Sequence, residues 1–204
     1  MKNYSMIIAA VLILSSTLTA TCQKADLFNG KNLDGWFIEN DGQFSVKKGV
    51  LKVNKGTGWL RSEKKYSDFK MIMEFRFMEK DANSGIYVRI PSNKVGEANG
   101  WPASYYQVQC KDDSTTIASH LGHLLFAEVP PFDFISSYEN VLKAYKPAKE
   151  WHTYEITCDR GTIIVKLNGE IITVAMNVQT PEGYVGIQGE NGSLEFRKIT
   201  LEKL

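Results

Sequence analysis

The chain has 204 residues, 23% of them charged and 11% aromatic, with a formal net charge of +1. Residues 1–21 contain Lys2 and no acid, so the remainder balances 23 basic residues against 23 acidic ones. That balance argues against the basic surface that nucleic acid or an anionic membrane requires.

Lys2 followed by the apolar run Met6 to Leu14 reads as an export signal, since nine apolar residues are too few to span a bilayer. Leu18 to Cys22 (LTATC) is similar to a bacterial lipobox, which makes residues 1–21 a signal peptide and Cys22 the lipidated first residue. Thr21 stands where such a motif prefers Gly or Ala, and cleavage near Ala20 without a lipid is the alternative. The expected destination is the periplasm or outer membrane of a bacterial cell, with membrane contact only through that lipid. Residues 23–204 are then expected to form a single domain, about 180 residues being enough for a substantial core.

Strand signals recur along this domain and helical periodicity does not. Gln43 to Val53 predicts a hairpin turning at Lys48-Gly49, and Gly58 to Arg61 a further strand. Met71 to Ile90 predicts two strands joined by a short polar turn. Met71, Met73, Phe75 and Phe77 share one face of the first, with Ile72, Glu74 and Arg76 on the other; in the second, Ile86, Val88 and Ile90 alternate with Tyr87 and Arg89. Further strands are predicted at Tyr105 to Cys110, Trp151 to Cys158, Thr162 to Asn168 and Glu170 to Ala175, with turns at Arg160-Gly161 and Asn168-Gly169. Tyr184 to Gln188 and Leu194 to Leu201 complete the series. About a dozen short strands with turns between them imply an all-β sandwich, with a jelly roll as its expected topology. Cys110 and Cys158 fall on apolar sides of their strands, where two buried thiols and a disulfide are both open readings. Residues 111–150 read as one long loop packed over something, and Pro91 to Pro102, carrying Trp101, as a second.

Tyr105, Gln107 and Gln109 alternate with Tyr106 and Val108. If their strand shares a sheet with Met71 to Ile90, one face collects Glu74, Arg76, Tyr87, Arg89, Tyr105, Gln107 and Gln109, and Gln188 joins them. Amides and guanidinium groups offer paired donors and acceptors to vicinal hydroxyls, and aromatic faces stack on sugar rings. The ordinary alternative is a solvated face with cross-strand Glu–Arg pairs. His123 is a candidate base or ligand, Trp101 a stacking platform or a loop anchor, and Asp112 and Glu128 nearby carboxylates. Trp36, Trp59, Trp151 and His152 read as core residues. No close spacing of His, Cys and carboxylates suggests a resident metal, and no phosphate loop or nucleophile elbow is present.

Leu27 to Trp36 (LFNGKNLDGW) resembles the opening motif of the 3-keto-disaccharide hydrolase domain family, formerly a domain of unknown function. Asp68-Phe with Glu74-Phe-Arg76, Asn83 to Arg89 (NSGIYVR), Tyr105 to Asp112, Glu150 to Tyr154, Leu167 to Gly169, Gly186 to Gln188 and Glu195 to Arg197 resemble its later blocks in order. The resemblance implies a concanavalin A-like, glucanase-like jelly roll. It also implies cleavage of glycosides whose sugar carries a ketone at C3, which acidifies the C2 hydrogen and permits elimination at C1. Such chemistry asks for one base and a cationic group or divalent cation facing the enolate oxygen. On the face reading Glu74 is the base with Arg89 or Arg76 as stabiliser, and His123 is the competing base. Arg76, Tyr87, Trp101, Tyr105, Gln107, Gln109, Asp112 and Gln188 are expected to bind the sugar. Gln107 stands where the family motif has Glu, and His152 where it has Asn; Leu121-Gly-His123 lies near the place of its Gly-Ala-x-Tyr-Gly run. A sugar-binding module without catalysis is therefore the alternative function. A retaining glycosidase ranks below both, because the Glu-x-Asp-x-x-Glu strand of laminarinase-like enzymes is missing.

Overall fold

The computed structural model describes residues 24–96, 100–112, 121–179 and 182–204. The signal-like segment, Cys22 and His120 lie outside the described residues. Fifteen strands and one helix are described: β1 (Lys24–Asp26), β2 (Trp36–Asn40), β3 (Phe44–Lys47), β4 (Val50–Val53), β5 (Gly58–Tyr66), β6 (Phe69–Phe77), β7 (Asn83–Ile90), β8 (Tyr105–Lys111), β9 (Leu124–Ala127), β10 (Asp133–Ser136), α1 (Tyr138–Ala144), β11 (His152–Asp159), β12 (Thr162–Leu167), β13 (Glu170–Met176), β14 (Gly183–Gly189) and β15 (Leu194–Lys203). They form two antiparallel sheets. The first runs β10-β13-β12-β11-β6-β15-β4-β3, with β1 also on β15, and the second runs β2-β5-β14-β7-β8-β9. The jelly-roll sandwich expected from the strand spacing is the fold of the chain.

The alternation that predicts the strands also fills the core. Met71, Met73, Phe75 and Phe77 of β6 are buried, as are Tyr154, Ile156 and Cys158 beside them on β11. From the second sheet Leu60, Ile86, Val88, Tyr106, Val108 and Ile187 join the same cluster. Burial of such side chains contributes roughly 1.5–3 kcal/mol each. The turns at Lys48-Gly49, Arg160 and Asn168-Gly169 all use left-handed backbone, which type I′ hairpins require. His152 is buried against Phe75, ring centroids 5.2 Å apart at 18°. Its Nε2 accepts the Lys146 backbone N–H at 3.1 Å. Cys110 and Cys158 are separate buried thiols on different sheets.

Two expectations change. Met71 to Ile90 is not a hairpin, because β6 pairs with β11 and β15 whereas β7 pairs with β14 and β8. The segment between them crosses from one sheet to the other, which satisfies both apolar faces in one core. Residues 111–150 are not one loop either, since they hold β9, β10 and α1. Seven residues are too few to display helical periodicity; what defines α1 is its Ser137 cap, whose side chain accepts the Asn140 N–H at 3.3 Å.

Candidate functional site

The outer face of the second sheet carries the candidate site. Strand register places its outward residues in rows that run across β5, β14, β7 and β8. Trp59 pairs with Gln188, and Gly85 with Gln109. In the next row Arg61 pairs with Gly186, Gly186 with Tyr87, and Tyr87 with Gln107. At one end of these rows Asn83 pairs with Lys111, and Glu190 follows Gln188 by one more step of alternation.

Two glycines shape this surface. A Cβ on Gly85 would collide with the Gln107 side chain, and one on Gly186 would meet the Trp59 ring. Their absence lets Gln107 and Trp59 lie flat across the strands, so both are almost fully buried although they point outward. The amides then form a chain. Gln107 Nε2 donates to Gln109 Oε1 at 2.6 Å and to Gln188 Oε1 at 3.1 Å, and Gln109 Nε2 donates to Asn83 Oδ1 at 3.0 Å. Amide orientation follows from this network.

Beside the amides lies an aromatic group. Trp59, Tyr87 and Ile90 are buried together, with Trp101, Tyr105 and Tyr184 packed against them. Trp59 and Tyr87 meet edge to face at 5.8 Å, and Tyr87 and Tyr105 at 5.1 Å. Trp101 crosses from the loop before β8, its Nε1 donating to the Gly189 carbonyl at 3.2 Å. Among the described residues, Trp59 Nε1 and the Tyr87 hydroxyl are buried without a partner in hydrogen-bond geometry. The Gln188 amide is nonetheless close enough to the Tyr87 hydroxyl to pull its pKa down; burial, then Tyr105 and Glu190, push it up by more. The Tyr87 hydroxyl is therefore held protonated.

Glu190 supplies a carboxylate at the amide end of this face; Glu39, beside Trp59 on β2, is committed to Arg61 Nε at 2.6 Å. Burial raises the pKa of Glu190 above the ordinary value, while a hydrogen bond from Asn83 and the charge of Lys111 offset part of the rise. A half-buried carboxyl of raised pKa suits proton transfer nearer neutrality. Among the described residues no group of three or more His, Cys, Asp or Glu stands close enough to hold a metal ion.

Of the residues singled out by the sequence, the structure brings together Tyr87, Trp101, Tyr105, Gln107, Gln109 and Gln188. Glu74 and Arg76 are elsewhere: they sit on β6, on the outer face of the first sheet, with the core between them and Gln107. Glu74 accepts from Arg197 Nε at 2.5 Å, and Arg76 donates to Glu195 at 2.9 and 2.5 Å. Arg89 is inside the sandwich. Its φ of 54° interrupts the alternation of β7, opposite a register shift in β14, and turns its side chain inward to Asp68 at 2.9 Å while Ile90 turns outward. Asp112 is also turned away, accepting the Tyr145 hydroxyl at 3.0 Å. His123 lies across from Gln109, whose N–H donates to its carbonyl at 2.9 Å, but its ring meets Phe134 at 5.2 Å.

Sequence reasoning missed Glu190, Asn83, Lys111 and the outward placement of Trp59. One further step of alternation from Gln188 and from Gln109 reaches Glu190 and Lys111, and two steps back from Tyr87, past Gly85, reach Asn83. Trp59 was expected in the core, and it is buried, but in the outer aromatic group. Trp36 is in the core, and Trp151 is half-buried between the Arg76 and Arg197 guanidinium groups, 4.5 and 4.2 Å from its ring centre.

No curated protein matches the sequence. Among solved structures, two Parabacteroides distasonis proteins provisionally described as glycosyl hydrolases are similar in fold. One is 17% identical with a TM-score of 0.68 over 89% of this chain and 94% of that one. The other is 21% identical with a TM-score of 0.67 over 89% of this chain and all of that one. The carbohydrate-binding module CBM66 of Bacillus subtilis shares the fold at 13% identity and a TM-score of 0.56, over 83% of this chain and 96% of that one. The profile of one family spans residues 23–202, nearly everything after the signal-like segment: the chain belongs to the 3-keto-alpha-glucoside-1,2-lyase-like domain family.

Proposed function

We propose that this is an exported carbohydrate-active enzyme that cleaves 3-keto glycosides by elimination on the outer face of the second sheet. The observation that carries the reading is Glu190, a half-buried carboxylate at the end of a row of side-chain amides and aromatic rings. Family membership supports the substrate class, and the signal-like first residues support export.

In this reading the amides of Gln107, Gln109 and Gln188 align the sugar hydroxyls, and Trp101 and Tyr105 flank its ring. The Glu190 carboxylate takes the proton from C2, which the C3 ketone has made acidic. The electron pair of that C–H bond passes through the enolate and forms the C1–C2 double bond as the bond from C1 to the glycosidic oxygen breaks. The leaving oxygen takes up a proton, and water adds to the enone in a later step. The Lys111 ammonium, whose charge is felt at Glu190, offsets the negative charge that develops on the C3 oxygen. Glu190 thus takes the role first expected of Glu74, whose carboxylate is committed to Arg197 on the far side of the core.

Sugar binding without cleavage is the second reading, favoured by Gln107, a neutral amide at the centre of the row where the family motif carries Glu. Purified protein incubated with a 3-keto glucoside and with its unoxidised parent separates the two. Turnover of the keto form alone supports the enzyme, and Glu190→Gln is then expected to lower kcat/KM by about 100-fold or more, the usual contribution of a positioned base. Saturable binding of either sugar with no product identifies a binding module. Full activity in Glu190→Gln would remove Glu190 as the base.

A further inference from the structure

The outer face of the first sheet holds a hollow of about 320 Å³, lined by Lys47, Lys48, Val50, Lys52, Arg76 and Glu195. Its shape follows from register. Ser45, Lys52, Glu195 and Arg76 form one row across β3, β4, β15 and β6, and Lys47 pairs with Val50 in the next. Val50 is short among long charged neighbours, so space opens above it.

The lining is organised around one carboxylate. Glu195 is 4% exposed and holds Lys52 Nζ at 2.9 Å on one oxygen and Arg76 on the other. Burial pushes its carboxyl up, but the Lys52 and Arg76 contacts outweigh this and hold it below the ordinary carboxylate range. It stays ionised and fixes both cations in place, and Trp151 braces Arg76 from the other side. Arg197 and Lys198 on β15 are engaged by Glu74, at 2.5 and 3.7 Å. Lys47 and Lys48 are different. Among the described residues neither lies within salt-bridge distance of a carboxylate, so the hollow keeps a positive excess on a chain whose formal charge is only +1. Lys48 also occupies a left-handed turn position, φ 53°, where Asn, Asp or Gly is usual. Placing Lys there strains the backbone, and like charges in one hairpin add repulsion that a bound anion would relieve.

We propose that this hollow binds an oxyanion carried by an acidic polysaccharide, either a sulfate ester or a uronate carboxylate. Arg76, whose Nε and Nη2 are held by Glu195, offers its remaining N–H groups to the anion, and Lys47 and Lys48 close over it as point charges, while Val50 gives the pyranose ring an apolar floor. The hollow matches the lower range of small-ligand sites, roughly 300 Å³ upward. A nucleic acid would need a longer basic stripe to follow its phosphates. The site lies on the opposite sheet from Glu190, and its failure would leave the proposed function untouched.

Calorimetric titration of the exported protein with a sulfated oligosaccharide, an oligogalacturonate and a neutral malto-oligosaccharide tests the site. The acidic ligands are expected to bind and to weaken as salt is raised, and whichever binds more tightly identifies the oxyanion. A Lys47→Gln, Lys48→Asn double variant keeps a residue that accepts the left-handed turn. Losing two charge-assisted contacts, it should bind at least about 10-fold more weakly, with thermal stability equal or higher and turnover of a 3-keto glucoside unchanged. Equal binding of the neutral sugar, no binding of either acidic one, or an affinity the double variant does not alter would overturn the proposal. So would binding to anionic lipid vesicles without binding to the acidic oligosaccharides.

Discussion

The two outer faces of the sandwich obey the same alternation and are built differently. On the first sheet, outward residues are long and charged and pair across strands: Glu155 with Lys70 and Lys166, each at 3.1 Å, and Glu74 with Arg197. On the second, outward residues are mostly neutral amides and aromatic rings, sunk into glycine notches and nearly dry. A polar face on a strand therefore identifies a surface but not its use. What separates the faces is whether the outward side chains are themselves buried. Exposed ion pairs contribute little, whereas burying amides, an indole and a phenol is costly unless each finds a partner.

The largest effect expected from breaking this contrast is at Trp59. It is fully buried on the outer side, over Gly186, so Trp59→Ala should cost about 3–5 kcal/mol, as for a core aromatic. Denaturant unfolding of the variant checks this, and a loss below about 1 kcal/mol would mean that the aromatic group is merely surface. Next in size is the interior between the faces. Burial, and then the charge of Lys146, lower the His152 pKa from 6.5 to about 4. The unfolded chain therefore binds a proton below pH 6.5 that the folded chain refuses. Stability that is full above that pH should drain away as pH falls toward 4, by about 3 kcal/mol in all. His152→Phe should flatten that part of the stability profile measured by urea unfolding; an unchanged slope would show that other groups produce it.

The sequence discloses the sandwich readily, because period-two alternation and turn residues such as Lys48-Gly49 and Asn168-Gly169 are local signals. It discloses half of the candidate site for the same reason: Tyr87, Tyr105, Gln107, Gln109 and Gln188 all keep strict alternation. Which strands share a sheet is not local. Met71 to Ile90 reads equally well as a hairpin and as a crossover, and that choice alone moves Glu74 and Arg76 from the candidate site to the opposite surface. Arg89 was lost to backbone geometry rather than topology. A single left-handed residue near the end of β7 inverts the alternation, and the half-buried Asp68 carboxylate, paired with the buried Arg89 guanidinium, makes the inversion tolerable. The notches at Gly85 and Gly186 become meaningful only once a neighbouring strand supplies the side chain that fills them.

The smallest expected effect is the sharpest test of the contrast. Glu74 is the strongest sequence candidate for a base, standing beside Arg76 in a block that resembles the family motif. Yet its side chain is 20% exposed, and its partners Arg197 and Lys198 are 46% and 48% exposed. Glu74→Gln should therefore cost less than about 1 kcal/mol of stability. It should leave 3-keto glucoside turnover unchanged, because the sandwich core separates it from the amide row. If that variant lost activity while Glu190→Gln kept it, the assignment of the faces would be reversed, and the ion pairs of the first sheet would have to be read as a catalytic constellation rather than as solvated surface.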